Sequence, residues 1–276
     1  MKKGFTLAEV FSPLFDSRGK NAFTLAEVLI TLGIIGVVAA LTMPSLIQKY
    51  QKQTTVTRLK KAYSEISQAL KLAEVEYGSM DNWNYTSLPE SHGFQEIYWV
   101  ENYFLPYIKT AKVCLTKENL SKCGTDGKLR NLNGSVVQSP YAHTAYVITA
   151  SGYGIQFMAG GKSNNNKESE YSPHMHLYVD IDGPKRGKGI YGKDIFLMTA
   201  NFGKQAGVIS SNHEKSEKNS GLVMFGNGWK PALTRDDLKS NNYYGCSKNA
   251  AVYQAGRFCG AMIQNDGWQI APDYPW

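Results

Sequence analysis

From Phe23 to Ile47 the chain reads FTLAEVLITLGIIGVVAALTMPSLI, about 25 residues in which Glu27 is the only charge. Such a run is long and apolar enough to cross a bilayer as a helix. The pattern then changes without a break. Val56, Leu59, Tyr63, Ile66, Leu70, Ala73 and Tyr77 recur at spacings of three and four, with Lys, Arg, Gln and Glu between them. That period predicts one apolar stripe on a continuing helix, and Gly78 is its stop signal. A helix from about Phe23 to Tyr77 would run roughly 80 Å at 1.5 Å per residue, far longer than an ordinary globular helix.

Residues 79–143 carry few clear signals, and strand candidates with turn punctuation begin at residue 144. Thr144–Thr149, a Ser151-Gly152 turn and Tyr153–Met158 read as a hairpin, and strands are expected near Met175–Ile181, Ile195–Thr199 and Gly221–Phe225. The aromatic stretch Phe94–Ile108 has mixed spacing and predicts a short helix over the sheet, while 161–170, GKSNNNKESE, is a polar loop. An antiparallel sheet of about four strands laid on the helical stripe buries both apolar faces. The expected class is α+β: 23–47 a membrane or filament-core helix, 48–78 its amphipathic continuation, and 79–276 a β-rich head.

Glu27 is the anomaly in the apolar segment, because an ionised carboxylate in hydrocarbon costs about 2.5 kcal/mol or more and survives only with a partner. Cleavage between Ala22 and Phe23 would create a positive α-amino group near the membrane surface, one helical turn from Glu27. A neighbouring subunit could pair that amine with this carboxylate. A small residue, then Phe-Thr-Leu-x-Glu, then an apolar helix resembles the signal of type IV pilins and type II secretion pseudopilins. The resemblance implies a pilin-like fold, a helical spine packed on an antiparallel head. It makes 1–22 a leader removed by a prepilin peptidase, Phe23 the methylated new terminus and Glu27 the residue that registers incoming subunits. Pro44 stands where many pilins carry a helix-loosening proline, since Pro inside a helix removes a hydrogen bond and clashes with the preceding turn.

Two departures from the family pattern matter. Ala22 replaces the Gly usual before the cut, and residues 4–10, GFTLAEV, are a second copy with Gly4 and Glu9 in equivalent places. The residues after that copy, FSPLFDSR, include a proline and charges and make no membrane helix. Cleavage is therefore expected after Ala22, the first copy being a duplication relic or a minor alternative cut after Gly4.

The basic balance, 30 Lys and Arg against 23 Asp and Glu, is scattered along the chain and permits contact with DNA or an anionic surface without demanding it. Cys114, Cys123, Cys246 and Cys259 form two local pairs, which in an exported head predict two small disulfide loops; neither spacing suits a zinc knuckle. The segment YVDIDGPKRGKGIYGKDIFLM is a second resemblance to pseudopilin-like proteins. Asp180, Asp182 and Asp194 sit there as turn formers or, as in the major pseudopilins, calcium ligands. His174-x-His176 would place two imidazoles on one strand face, with no third ligand nearby. No Walker loop, Gly-x-Ser-x-Gly elbow or His-Glu-x-x-His occurs. The expected function is thus a structural subunit, minor by the size of its head, and not an enzyme. The resemblance places it in the bacterial inner membrane and then in a secretion pseudopilus or surface pilus. It implies other pilin-type subunits, a prepilin peptidase, an inner-membrane assembly platform and membrane lipid as partners. A filament-tip module for DNA or surface adhesion and a membrane-anchored enzyme are the alternatives.

Overall fold

A computed structural model describes residues 24–83, 92–115, 121–123, 129–137, 145–160, 174–184, 188–202, 221–227, 232–250 and 254–276. The chain divides into two compact units, 1–49 and 50–276. Helix α1 (Leu25–Tyr77) contributes to both. In the first unit its side chains from Leu25 to Ile47 are nearly all exposed among the described residues, with Leu29, Ile35, Val37 and Leu41 all largely so. The helix runs continuously through Pro44, whose missing N–H leaves the Ala40 carbonyl without its usual donor. Thr42 Oγ1 donates nearby to Val38 O at 2.8 Å and Ser45 Oγ to Thr42 O at 2.8 Å.

In the second unit α1 buries Leu59, Ala62, Ile66, Ala69, Leu70 and Ala73. The alanines at 62, 69 and 73 bring the helix backbone close to what it covers, and each fully buried Leu or Ile contributes about 2 kcal/mol of transfer free energy. Tyr77, placed at the end of the expected stripe, is 43% exposed.

Five strands form a meander: β4 (Ala145–Thr149), β5 (Gly154–Gly160), β6 (His174–Asp180), β7 (Ile195–Asn201) and β8 (Gly221–Met224), each antiparallel to the next. β1 (Thr110–Cys114) pairs with the outer edge of β4, giving one six-stranded sheet in the order β1-β4-β5-β6-β7-β8. Each strand segment expected from the sequence is present, and the sheet exceeds the expected four or so because β1 joins its edge. A two-stranded ribbon, β2 (Leu129–Arg130) with β3 (Val136–Val137), forms a separate sheet. Helix α2 (His92–Tyr103) precedes the sheet, and α3 (Arg235–Ser240) and α4 (Cys259–Asn265) follow it.

Every residue of β6 and β7 is buried, so both sheet faces are covered there. One face is apolar: Ile155, Phe157, Met175, Leu177, Val179, Phe196 and Met198 join the α1 stripe in the main core. Trp99 of α2 enters it with its ring 6.2 Å from Phe157 and 6.1 Å from Phe202. The register places Gln156, His176, Tyr178 and Thr199 on the other face. The chain around Phe225, Tyr244, Arg257 and Phe258 lies against that face, with Phe225 5.5 Å from His176 and Arg257 5.7 Å from the Tyr178 ring.

Candidate functional site

The start of α1 shows how the segment folds locally. Thr24 donates its backbone N–H to Glu27 Oε2 at 2.9 Å and its hydroxyl to the same oxygen at 2.7 Å, while the Glu27 N–H donates to Thr24 Oγ1 at 3.2 Å. This is a reciprocal Thr-x-x-Glu capping box, which satisfies donors that the first helical turn leaves unpaired. Glu27 therefore has a partner inside its own chain, which the reading of an isolated carboxylate overlooks although the Thr-x-x-Glu spacing signals it. Only Oε2 is used; Oε1 makes no hydrogen bond among the described residues. Ala22 and Phe23 lie outside the described residues.

From this capped start, α1 is long and apolar enough to cross a membrane, with none of that stretch buried. The fold offers no other use for such a surface in a monomer, since contiguous exposed apolar area of this extent marks membrane or protein contact.

In the head, both cysteine pairs close: Cys114 with Cys123 and Cys246 with Cys259. The first anchors a satellite cluster with Tyr146 and Ile148. The second belongs to the main core, where Cys259 lies fully buried beside Gly192.

The three aspartates serve the loop between β6 and β7. Asp180 Oδ1 accepts the Asp182 N–H at 3.1 Å, and the Asp180 carbonyl accepts the Gly183 N–H at 3.2 Å. Gly183 takes φ 76°, and a Cβ there would stand 2.4 Å from the Gly152 carbonyl oxygen, so two neighbouring turns meet where only Gly fits. Asp182 pairs with Arg58 of α1. Asp194 receives the N–H groups of Lys188, Gly189 at 3.1 Å and Ile190 at 2.5 Å. Burial, then the neighbouring Asp194 charge, pushes the Asp180 carboxyl up to about 7, and burial also raises that of Asp194. Among the described residues no three His, Cys, Asp or Glu side chains are grouped to hold a metal ion. The hydrogen bonds of Asp180 and Asp194 are those of turn formers.

His174 and His176 do share a strand face, with ring centroids 4.5 Å apart. Both are buried, and His176 Nδ1 lies 3.1 Å from Thr199 Oγ1. Burial, then the charges of His174 and Arg257, holds His176 well below the usual imidazole range, so it is a neutral interior residue.

Residues 17–43 match the prokaryotic N-terminal methylation motif, a span that contains Ala22, Phe23 and Glu27 and leaves out the copy at 4–10. Residues 45–276 match a family of unknown function, DUF6613. The chain belongs to the DUF6613 family. No curated protein and no solved structure matches it. The methylation motif supports a type IV pilin-like or pseudopilin-like protein, and the long helix followed by an antiparallel sheet agrees with that fold. The motif points to a structural subunit of a pilus or pseudopilus that assembles with other pilin-type subunits, and the apolar helix supports membrane anchoring.

Proposed function

We propose that the chain is a minor structural subunit of a type II secretion pseudopilus or type IV pilus. It is made as a single-pass inner-membrane precursor with the head outside the cytoplasm. A prepilin peptidase cuts between Ala22 and Phe23 and methylates the new Phe23 amine. The observation that carries the reading is the methylation motif seated on a capped helix whose apolar surface is uncovered among the described residues.

The capping box suggests how Glu27 divides its work. Oε2 holds the helix start through Thr24, and Oε1 is left to accept a hydrogen bond from the Phe23 amine of a neighbouring subunit. A charged pair so placed acts in a medium of low dielectric, where charge-assisted hydrogen bonds are strong and a missing partner is costly. Polymerisation then exchanges lipid around Leu25–Ile47 for the same segment of other subunits.

Amino-terminal mass spectrometry on the chain from cells with and without a prepilin peptidase tests this. A methylated Phe23 terminus that vanishes without the peptidase is expected. An uncut chain, or methylation at Phe5, refutes the assignment of the cleavage site.

A further inference from the structure

One face of α1 just beyond the apolar segment carries Tyr50, Gln51, Thr54, Thr55 and Arg58, at helical repeats of i, i+1, i+4, i+5 and i+8. Together with Asp182, Lys188, Lys193, Asp194 and Trp276 they line a cavity of about 390 Å³, a volume that suits a small molecule or headgroup. The far wall is held in place. The Tyr274 hydroxyl donates to the Gly192 carbonyl at 2.5 Å, next to Lys193. Arg235 clamps Asp266 at 2.7 Å and Asp273 at 2.7 Å, fixing the chain that delivers Trp276.

The charges in this groove do not balance. Asp194 is held by three backbone N–H groups and Asp182 by Arg58. Lys188 and Lys193 make no ion pair with a carboxylate among the described residues, although the Asp194 charge acts on Lys193. Burial, then the charges of Lys248 and Lys188, draws the Lys193 pKa down. Cations gathered at a part-enclosed cavity with hydroxyl and amide neighbours favour an anion. The aromatic pair narrows the choice, because Tyr and Trp prefer the boundary between headgroups and acyl chains. Position narrows it again: Tyr50 is three residues beyond Ile47, so chain connectivity alone holds it within about 11 Å of the end of the apolar segment.

We propose that this groove binds the phosphate of a membrane phospholipid headgroup before the subunit assembles. Lys188 and Lys193 face the phosphate, Gln51, Thr54 and Thr55 offer hydrogen bonds, and Tyr50 and Trp276 border the acyl region. The proposal rests on the reading of residues 25–47 as membrane-spanning. Entry into a filament then requires loss of this headgroup contact.

The full chain is placed in bilayer nanodiscs of equal parts phosphatidylglycerol and phosphatidylcholine, and in maltoside micelles with and without about 20 mM inorganic phosphate. Acetylation of individual lysines is followed by mass spectrometry. Lys193 should react about fivefold more slowly in discs than in phosphate-free micelles, matching about 1 kcal/mol per basic residue near an anionic surface. Lys71, farther along α1, should be unchanged, and Lys188→Gln should remove most of the Lys193 protection without altering the thermal melt. Equal protection by inorganic phosphate in micelles overturns the lipid assignment in favour of a free-phosphate site. Unprotected Lys193 in a chain that resists alkaline carbonate extraction overturns the groove while leaving the anchor intact. A chain that carbonate extracts from vesicles removes the anchor reading itself, and the proposal with it.

Discussion

The capping role of Glu27 and its proposed pairing role would be confused by a single substitution with Ala, and the capping geometry separates them. Glu27→Gln keeps a side chain able to complete the capping box, since Gln serves at this position as Glu does. It removes the charge and replaces one oxygen with an NH₂ group. If the amide oxygen keeps the Thr24 hydrogen bonds, the NH₂ takes the place of Oε1 and presents donors to a neighbouring ammonium. Leaving one member of a desolvated pair uncompensated costs about 3–5 kcal/mol, at least a hundredfold in subunit association. Thr24→Ala does the converse: it removes the hydroxyl and costs about 1 kcal/mol of helix start while leaving the carboxylate. The assay is the yield of sheared filaments by immunoblot at equal levels of processed subunit, with circular dichroism of the micellar chain as the helix control. Glu27→Gln should leave almost no filaments and Thr24→Ala a fewfold reduction. Wild-type assembly by Glu27→Gln, or an equal defect in both variants, refutes the charge-pairing account and makes Glu27 a helix cap only.

The head allows four further tests. Asp180 has a folded pKa of about 7 against an ordinary 3.8, so the folded state retains a proton the unfolded chain releases, and stability falls as pH rises between about 4 and 7. Asp180→Asn should flatten that fall and raise the melting temperature at pH 8, while the neutral His176 gives the opposite slope below about pH 6.5; a pH series of thermal melts on both chains reads the two. Gly192→Ala places a Cβ 2.6 Å from Cys259 Sγ at φ 77° and should cost about 1–3 kcal/mol by chemical denaturation, whereas no loss would show that the loop shifts freely. Replacing Cys246 and Cys259 together by Ser should cost about 3 kcal/mol and exceed the loss from Cys114 and Cys123, whose loop is shorter and whose cluster is smaller, by the same assay. Millimolar calcium should leave the melt unshifted, because Asp182 and Asp194 are already engaged by Arg58 and backbone N–H groups; a clear rise in melting temperature would contradict that assignment.

The sequence is most legible where burial imposes a period, and it goes quiet where pairing sets the structure. Leu59, Ile66 and Leu70 read as one face because that face is buried, while Ala62 and Ala69 escape the pattern and Ala73 enters it by spacing alone, because small residues carry little hydrophobic signal. β6 and β7 agree with their expected spans to within a residue or two at most boundaries, since both bury their whole length. β1 is silent for the opposite reason: four of its five residues are exposed, and it is a strand only because β4 offers it an edge. The groove is illegible for a stronger reason. Tyr50, Lys193 and Trp276 belong to a helix, a turn and the carboxyl-terminal chain, and each reads alone as an ordinary surface residue. Their conjunction is a tertiary product, assembled when Tyr274 bonds to Gly192 and Arg58 to Asp182. The Asp-rich loop, whose sequence suits turns or calcium, commits Asp182 to Arg58 and Asp194 to its own backbone, and leaves Lys188 and Lys193 without an ion pair to a carboxylate among the described residues. The proposed phosphate site rests on those two lysines.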